Sequence, residues 1–245
     1  MGFQLRTATR TDPGLHRPNN EDSLYAGQRL LVVADGVGGA PAGEVASEIV
    51  VKALTPLDST APPADPVATL REAVERANRH LADVTGSDPA RRGMGTTVTA
   101  MLLTDEALAL LHVGDSRAYR WRGGELARLT VDDTYVQWLV AEGVLTPEQA
   151  REHPQRSVVT QAVQGEPLSP ALDLLTPQTG DRYLLCSDGL SDAVPDDAIA
   201  PVLADHPDLA GCAERLIQLA LAAGGPDNIS VVLAEVIEAS RTIDG

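Results

Sequence analysis

Acidic side chains recur at the boundaries of apolar, β-branched runs. Asp35 follows LLVVA, Asp115 follows LALLHVG, Asp188 follows YLLCS, and Asp227 stands just before NISVVLAEV. Each neighbours Gly, Ser or Asn, and a single aspartate beside such residues is an ordinary turn former. Four together point further. Strands packed side by side bring their ends together, and carboxylates crowded there cannot all stay ionised without positive charge between them. An oxygen-only donor set selects hard cations, Mg²⁺ or Mn²⁺, whereas zinc recruits His or Cys. A pair of such cations about 3.5 to 4 Å apart bridges and deprotonates a water for in-line attack on phosphorus, so the chemistry indicated is hydrolysis of a phosphate ester.

A phosphate also needs a holder, and HRPNNEDSLY offers one. Arg17 could grip two phosphoryl oxygens with its planar fork, with Glu21 and Asp22 four and five residues later; the plainer reading of arginine beside acids is a surface ion pair. The glycine-rich stretch after Asp35 does not fit a dinucleotide cradle. Counting from Gly36, the second glycine is Gly38 but the third position is Pro41, and the opening carboxylate would repel a pyrophosphate. The five histidines show no metal-ligand spacing. Cysteine phosphatase chemistry is excluded, because Cys-x5-Arg is absent: six residues after Cys186 comes Asp192, and six after Cys212 comes Gln218. No P-loop pattern occurs either.

The elements that must position these residues are mostly strands. Runs rich in Val, Leu, Ile and Thr predict strands near 3–9, 29–34, 96–103, 107–113, 116–122, 182–187 and 229–236. TDEA and VGDS separate three of them at a spacing that predicts antiparallel hairpins. Helical spacing predicts a helix over 43–54, a second with Val67, Leu70, Val74, Ala77 and Leu81 on one face, and a third over 209–222 stopped by Gly224-Gly225-Pro226. The polar stretch 131–156 carries two short helical patterns, one ending at Gly143 and one opening with Thr146, Pro147 and Gln149 as cap, first-turn proline and capping-box partner. An excursion of that kind between strands reads as a flap beside a site, with a packed helical hairpin as the alternative.

With 35 acidic against 19 basic side chains in 245 residues, the net charge of −16 opposes nucleic acid and anionic membrane surfaces. Two unpaired-looking cysteines fit a reducing compartment, and neither a signal peptide nor an apolar run of membrane-spanning length is present, so a cytoplasmic location is expected.

Six blocks now stand in one order: RPNNED at 17–22, VADGVGG at 33–39, GMGTT at 93–97, HVGDSRAYR at 112–120, LLCSDGLSD at 184–192 and GGPDNIS at 224–230. In this the chain resembles the metal-dependent protein serine/threonine phosphatases of type two-C, in their compact bacterial form, over nearly its whole length. The resemblance implies an α+β fold: a four-layer α/β/β/α sandwich of two antiparallel sheets flanked by helices, with the flap at about 131–156. It implies one catalytic domain over 1–240 and a tail at 241–245. It implies two Mn²⁺ or Mg²⁺ ions, with Asp35 bridging both, the Gly36 carbonyl on one, and Asp188 and Asp227 completing the shell of the second ion. Glu21 and Asp22 would act largely through metal-bound waters, Asp115 and Asp192 with a share of Asp188 would hold a third, weaker ion, and Arg17 would bind phosphate. Thr96 and Thr97 match a supporting core stretch. Hydrolysis of phosphoserine and phosphothreonine by a metal-bridging water follows, on phosphorylated proteins, opposing a serine/threonine kinase, by a monomer.

Two departures stand out. Val37 replaces the histidine that some members carry after Asp-Gly as general acid, leaving metal-bound water as the candidate proton donor. Asp132-Asp133 opens the flap where the family often reads Asp-His. A binding module built on the same domain is the rival from another class; lost metal carboxylates would favour it, and none is lost.

Overall fold

The run Leu30–Ala34 dictates how the chain layers itself. Alternation sends Leu30, Val32 and Ala34 to one face and Leu31 and Val33 to the other, and all five are buried. A strand buried on both faces needs a layer on each side, and the rest of the chain supplies them. The computed structural model describes residues 2–37, 42–59, 61–88 and 91–239.

Ten strands form two five-stranded sheets. In chain order they are β1 (Phe3–Asp12), β2 (Ser23–Ala26), β3 (Leu30–Ala34), β6 (Val98–Leu103), β7 (Leu108–Val113), β8 (Arg117–Arg122), β9 (Glu125–Arg128), β10 (Ala171–Leu175), β11 (Arg182–Cys186) and β12 (Ile229–Glu238); β4 (Gly36–Val37) and β5 (Gly95–Thr96) form a separate two-residue pair. One sheet runs β1-β12-β11-β8-β9 and the other β10-β7-β6-β3-β2, antiparallel throughout.

Between the sheets lies one apolar layer that includes Leu31, Val33, Met101, Leu110, Tyr183, Leu185, Val232 and Val236. Outside one sheet, α1 (Ala42–Leu54) and α2 (Pro66–Ser87) bury Val50, Leu54, Leu70, Val74 and Leu81 against it. Outside the other, α5 (Asp188–Ser191), α6 (Asp196–Asp205) and α7 (Leu209–Ala222) bury Leu190, Ile199, Leu203, Leu216 and Ile217. The architecture is therefore the expected four-layer sandwich. Helix α2 starts where Asp65 accepts the Ala68 N–H ahead of Pro66. The flap holds α3 (Tyr135–Ala141), capped by Thr134, and α4 (Pro147–Arg151), which opens with the expected Thr146–Gln149 capping box.

Several expectations need correction. VGDS is not a hairpin turn, because β7 and β8 belong to different sheets. Gly114 makes the corner at φ +103°, and a Cβ there would meet Thr97 Cγ2 at 2.5 Å, so the bend that carries the chain between sheets admits only glycine. The strand expected over 96–103 is broken at Thr97, which turns its N–H to the Asp35 carbonyl at 2.8 Å. Strands β2, β9 and β10 and helix α6 had no counterpart among the expected elements. The end of the glycine-rich turn (38–41), residue 240 and the tail 241–245 lie outside the described residues. Among those described, no helix is long and apolar enough to cross a membrane.

Candidate active site

Antiparallel order explains why acids from distant stretches meet. Ser23 pairs with Ala34, Val98 with Val113, Ile229 with Asp12, and Cys186 with both Arg117 and Val231. The residues just before β2 and β12 and just after β3, β7 and β11 therefore emerge at one end of the sandwich. Those residues include Asp22, Asp227, Asp35, Asp115 and Asp188.

A cleft of about 380 Å³ opens there, lined by seven of the nine predicted site residues: Arg17, Glu21, Asp35, Gly36, Asp115, Asp188 and Asp227. Asp22 lies beneath it. Its Oδ2 accepts the Ser187 hydroxyl at 2.8 Å. Asp192 lines a neighbouring pocket of about 170 Å³ under the flap, with Arg117, Asp132 and Arg156, and Asp115 is shared by both spaces.

The local scaffold is built from hydroxyls and one amide. Thr96 Oγ1 and the Thr97 N–H both donate to the Asp35 carbonyl, while the Asp35 N–H donates to Thr97 Oγ1. The supporting role expected of these threonines is thus a grip on the Asp35 backbone. Asn228, which sequence reading missed, uses its whole side chain: Oδ1 accepts the Glu21 N–H, and Nδ2 donates to the Pro13 and Asn19 carbonyls. It staples the loop bearing Arg17 to the segment that carries Asp227 into β12. Ser157 and Val159 beyond the flap also line the cleft. They come from outside the stretches that carry the acids, so the pattern of strand-end carboxylates could not announce them.

Electrostatics match the crowding. Burial, then repulsion from Asp22, Asp188 and Asp115, drives Asp35 well above the usual carboxylate range. Asp188 is driven up by burial and by Asp115, Asp192 and Asp227. Burial is also the main cause that pushes Asp22 up to about 6 and Asp115 up to about 7. Glu21 and Asp192 rise chiefly by burial as well. Arg17 donates from Nη2 to Asp227 Oδ2 at 2.6 Å, so the arginine pairs with an acid from the other end of the chain rather than with Glu21 or Asp22.

Whether this set suits a cation rests on the side chains themselves. Among the described residues no three His, Cys, Asp or Glu groups close on one point tightly enough to enclose an ion. Yet Asp22 Oδ1 and Asp188 Oδ1 are buried without any hydrogen-bond partner, a costly state for a carboxylate. The donors are all oxygens, and their mutual repulsion is what positive charge relieves. The residues fit hard divalent cations.

Comparison with known proteins agrees with the fold. The sequence pattern of the protein phosphatase 2C family covers residues 18–219. Serine/threonine protein phosphatase PstP of Mycobacterium tuberculosis is 52% identical over 234 residues, 96% of this chain, which spans 45% of that relative's length. Protein phosphatase PhpP of Streptococcus pneumoniae is 36% identical over 244 residues, 93% of this chain and 96% of the relative. A crystal structure of the PstP catalytic domain with two manganese ions matches at TM-score 0.91 and 50% identity, over 96% of this chain and 100% of that one. This chain belongs to the protein phosphatase 2C family.

Proposed function

We propose that the chain is a metal-dependent protein serine/threonine phosphatase whose cleft acids hold paired Mn²⁺ or Mg²⁺ ions. The observation that carries this reading is the convergence of Asp35, Asp115, Asp188 and Asp227 on one cleft, with buried carboxylate oxygens lacking partners. The PstP relatives, named as serine/threonine phosphatases and crystallised with two manganese ions, support it.

Asp35 would contact both ions, joined by the Gly36 carbonyl, Asp188 and Asp227, with Glu21 and Asp22 acting through water. Asp115 would hold a third ion with Asp192, which it meets along the pocket under the flap. When bound, such ions neutralise phosphoryl oxygens and acidify water. Arg17, the one base among the described residues that line the cleft, orients the phosphoryl group through its planar fork. Val37 offers no proton at the cleft wall, so the leaving alkoxide takes its proton from water.

The substrate is a phosphoserine or phosphothreonine on an exposed protein segment, with a serine/threonine kinase as the opposing activity. Val131, Trp138 and Val144 of the flap and Val158 beyond it expose large apolar surfaces, giving residues beside the phosphate something to pack on. Residues 1–240 act as one catalytic unit, as a monomer in the cytoplasm. Hydrolysis of a phosphothreonine peptide tests the reading: it is expected to stop with chelator and return with Mn²⁺, and turnover unaffected by chelator would refute it.

A further inference from the structure

Among the described residues Arg17 is the only base lining the cleft, where it faces Glu21, Asp35, Asp115, Asp188 and Asp227. Part of its donor fork is already engaged. Its Nη2 is spent on Asp227 Oδ2 at 2.6 Å, and its charge is favoured first by that bond and next, against some desolvation, by Asp227, Asp188 and Asp35. Asp227 is itself assigned above to a cation shell. One carboxylate is thus claimed by both an arginine and a divalent ion.

We propose that Arg17 has a second role, as the exchangeable counter-ion of Asp227: it neutralises the cleft before a divalent cation arrives, gives Asp227 up to that cation, and only then is free to grip a phosphoryl oxygen. The inference rests on the cation-site reading above. Its strength lies in the exposure of the pair. Side chains 54% and 32% exposed form an ion pair that water reaches, and such pairs are weak enough to exchange, whereas a fully buried pair would be locked. Release needs only side-chain rotation, because Asn228 holds the loop backbone on either side of Arg17 through Pro13, Asn19 and Glu21. Cation and phosphate must then favour each other's binding by the same factor.

Calorimetric titration of Mn²⁺ into chelator-stripped wild type, Arg17→Lys and Arg17→Gln tests the exchange. Arg17→Gln is expected to bind its tightest ion about two- to five-fold more tightly than wild type, the worth of an exposed ion pair, with Arg17→Lys close to wild type. Unchanged or weaker binding by Arg17→Gln overturns the exchange while leaving the cation site standing; absence of Mn²⁺ binding in all three overturns both. Inorganic phosphate, titrated in chelator, gives the reciprocal readout. Asp227→Asn is expected to bind it several-fold more tightly than wild type, a gain that vanishes in Asp227→Asn/Arg17→Gln. A gain that persists without Arg17 comes from charge removal alone and refutes the proposal, as does no gain at all.

Discussion

Ser187 donates its hydroxyl to Asp22 Oδ2 at 2.8 Å and accepts the Ser230 N–H at 2.9 Å. The residue that follows β11 in one sheet thereby clamps the acid that precedes β2 in the other, leaving Asp22 Oδ1 without a partner. Ser187→Ala is expected to cost about 1–2 kcal/mol of stability by urea unfolding. Mn²⁺ affinity should fall roughly ten-fold, the usual effect of losing a group that orients a ligand. Affinity equal to wild type would show that Asp22 needs no such clamp.

Cation binding should release protons. Asp22 is raised to about 6 and Asp115 to about 7, with Asp35 and Asp188 also driven up, so the ion-free cleft holds protons near neutrality that a cation expels. Calorimetry at about pH 6.5 in buffers of different ionisation enthalpy is expected to report about one proton or more per ion. The same shifts fix the sign of stability in chelator. Carboxyls whose pKa is higher folded than unfolded stabilise fully below the ordinary value of 3.8 and have lost that contribution once pH passes about 6 for Asp22 and about 7 for Asp115, so unfolding midpoints should fall from about pH 4 to about pH 7 and then level off.

Asp35→Asn separates function from stability. Losing the anion at the centre of the cluster is expected to lower Mn²⁺ affinity and kcat by more than roughly 100-fold. It should also raise the thermal midpoint of the ion-free protein, because repulsion by Asp22, Asp188 and Asp115 is relieved. A variant with near-normal kcat would remove Asp35 from the chemistry.

Asp133 ties the flap to the sheet corner. Its Oδ2 accepts from the Gly114 N–H at 2.9 Å and from Gln161 Nε2 at 3.0 Å, and its N–H donates to the Gly114 carbonyl. Asp133→Ala strands the buried donor at Gly114 and should cost about 1–3 kcal/mol. KM for a phosphopeptide is expected to rise more than KM for a small phosphoester, since only the peptide reaches the flap; equal changes would mean that the anchor serves the corner alone.

What could be read from the sequence follows burial. Strands β3, β6, β7, β11 and β12 are almost wholly buried and announce themselves as apolar runs, and α1, α2 and α7 each present one apolar face to a sheet. The missed strands β2, β9 and β10 are all sheet edges. All three are short and at least partly exposed, and β9 and β10 also carry Glu125, Arg128 and Asp173, so they lack the continuous pattern that a central strand must have. Helix α6 hides behind Pro201 in its interior. Asp35, Asp115, Asp188 and Asp227 were visible because each flanks a strand, whereas Asp192, at the end of α5, came only with the family resemblance. Their depth was not: Asp22 beneath the cleft, Asp192 beside it, and Arg17 on Asp227 all depend on how two sheets face each other.

Anomalous diffraction at the manganese edge, from crystals grown with MnCl₂, tests the central claim most directly. Two peaks flanking the Asp35 carboxylate are expected, one of them also within bonding distance of Asp188 and Asp227. A cleft without a peak at Asp35 would contradict it.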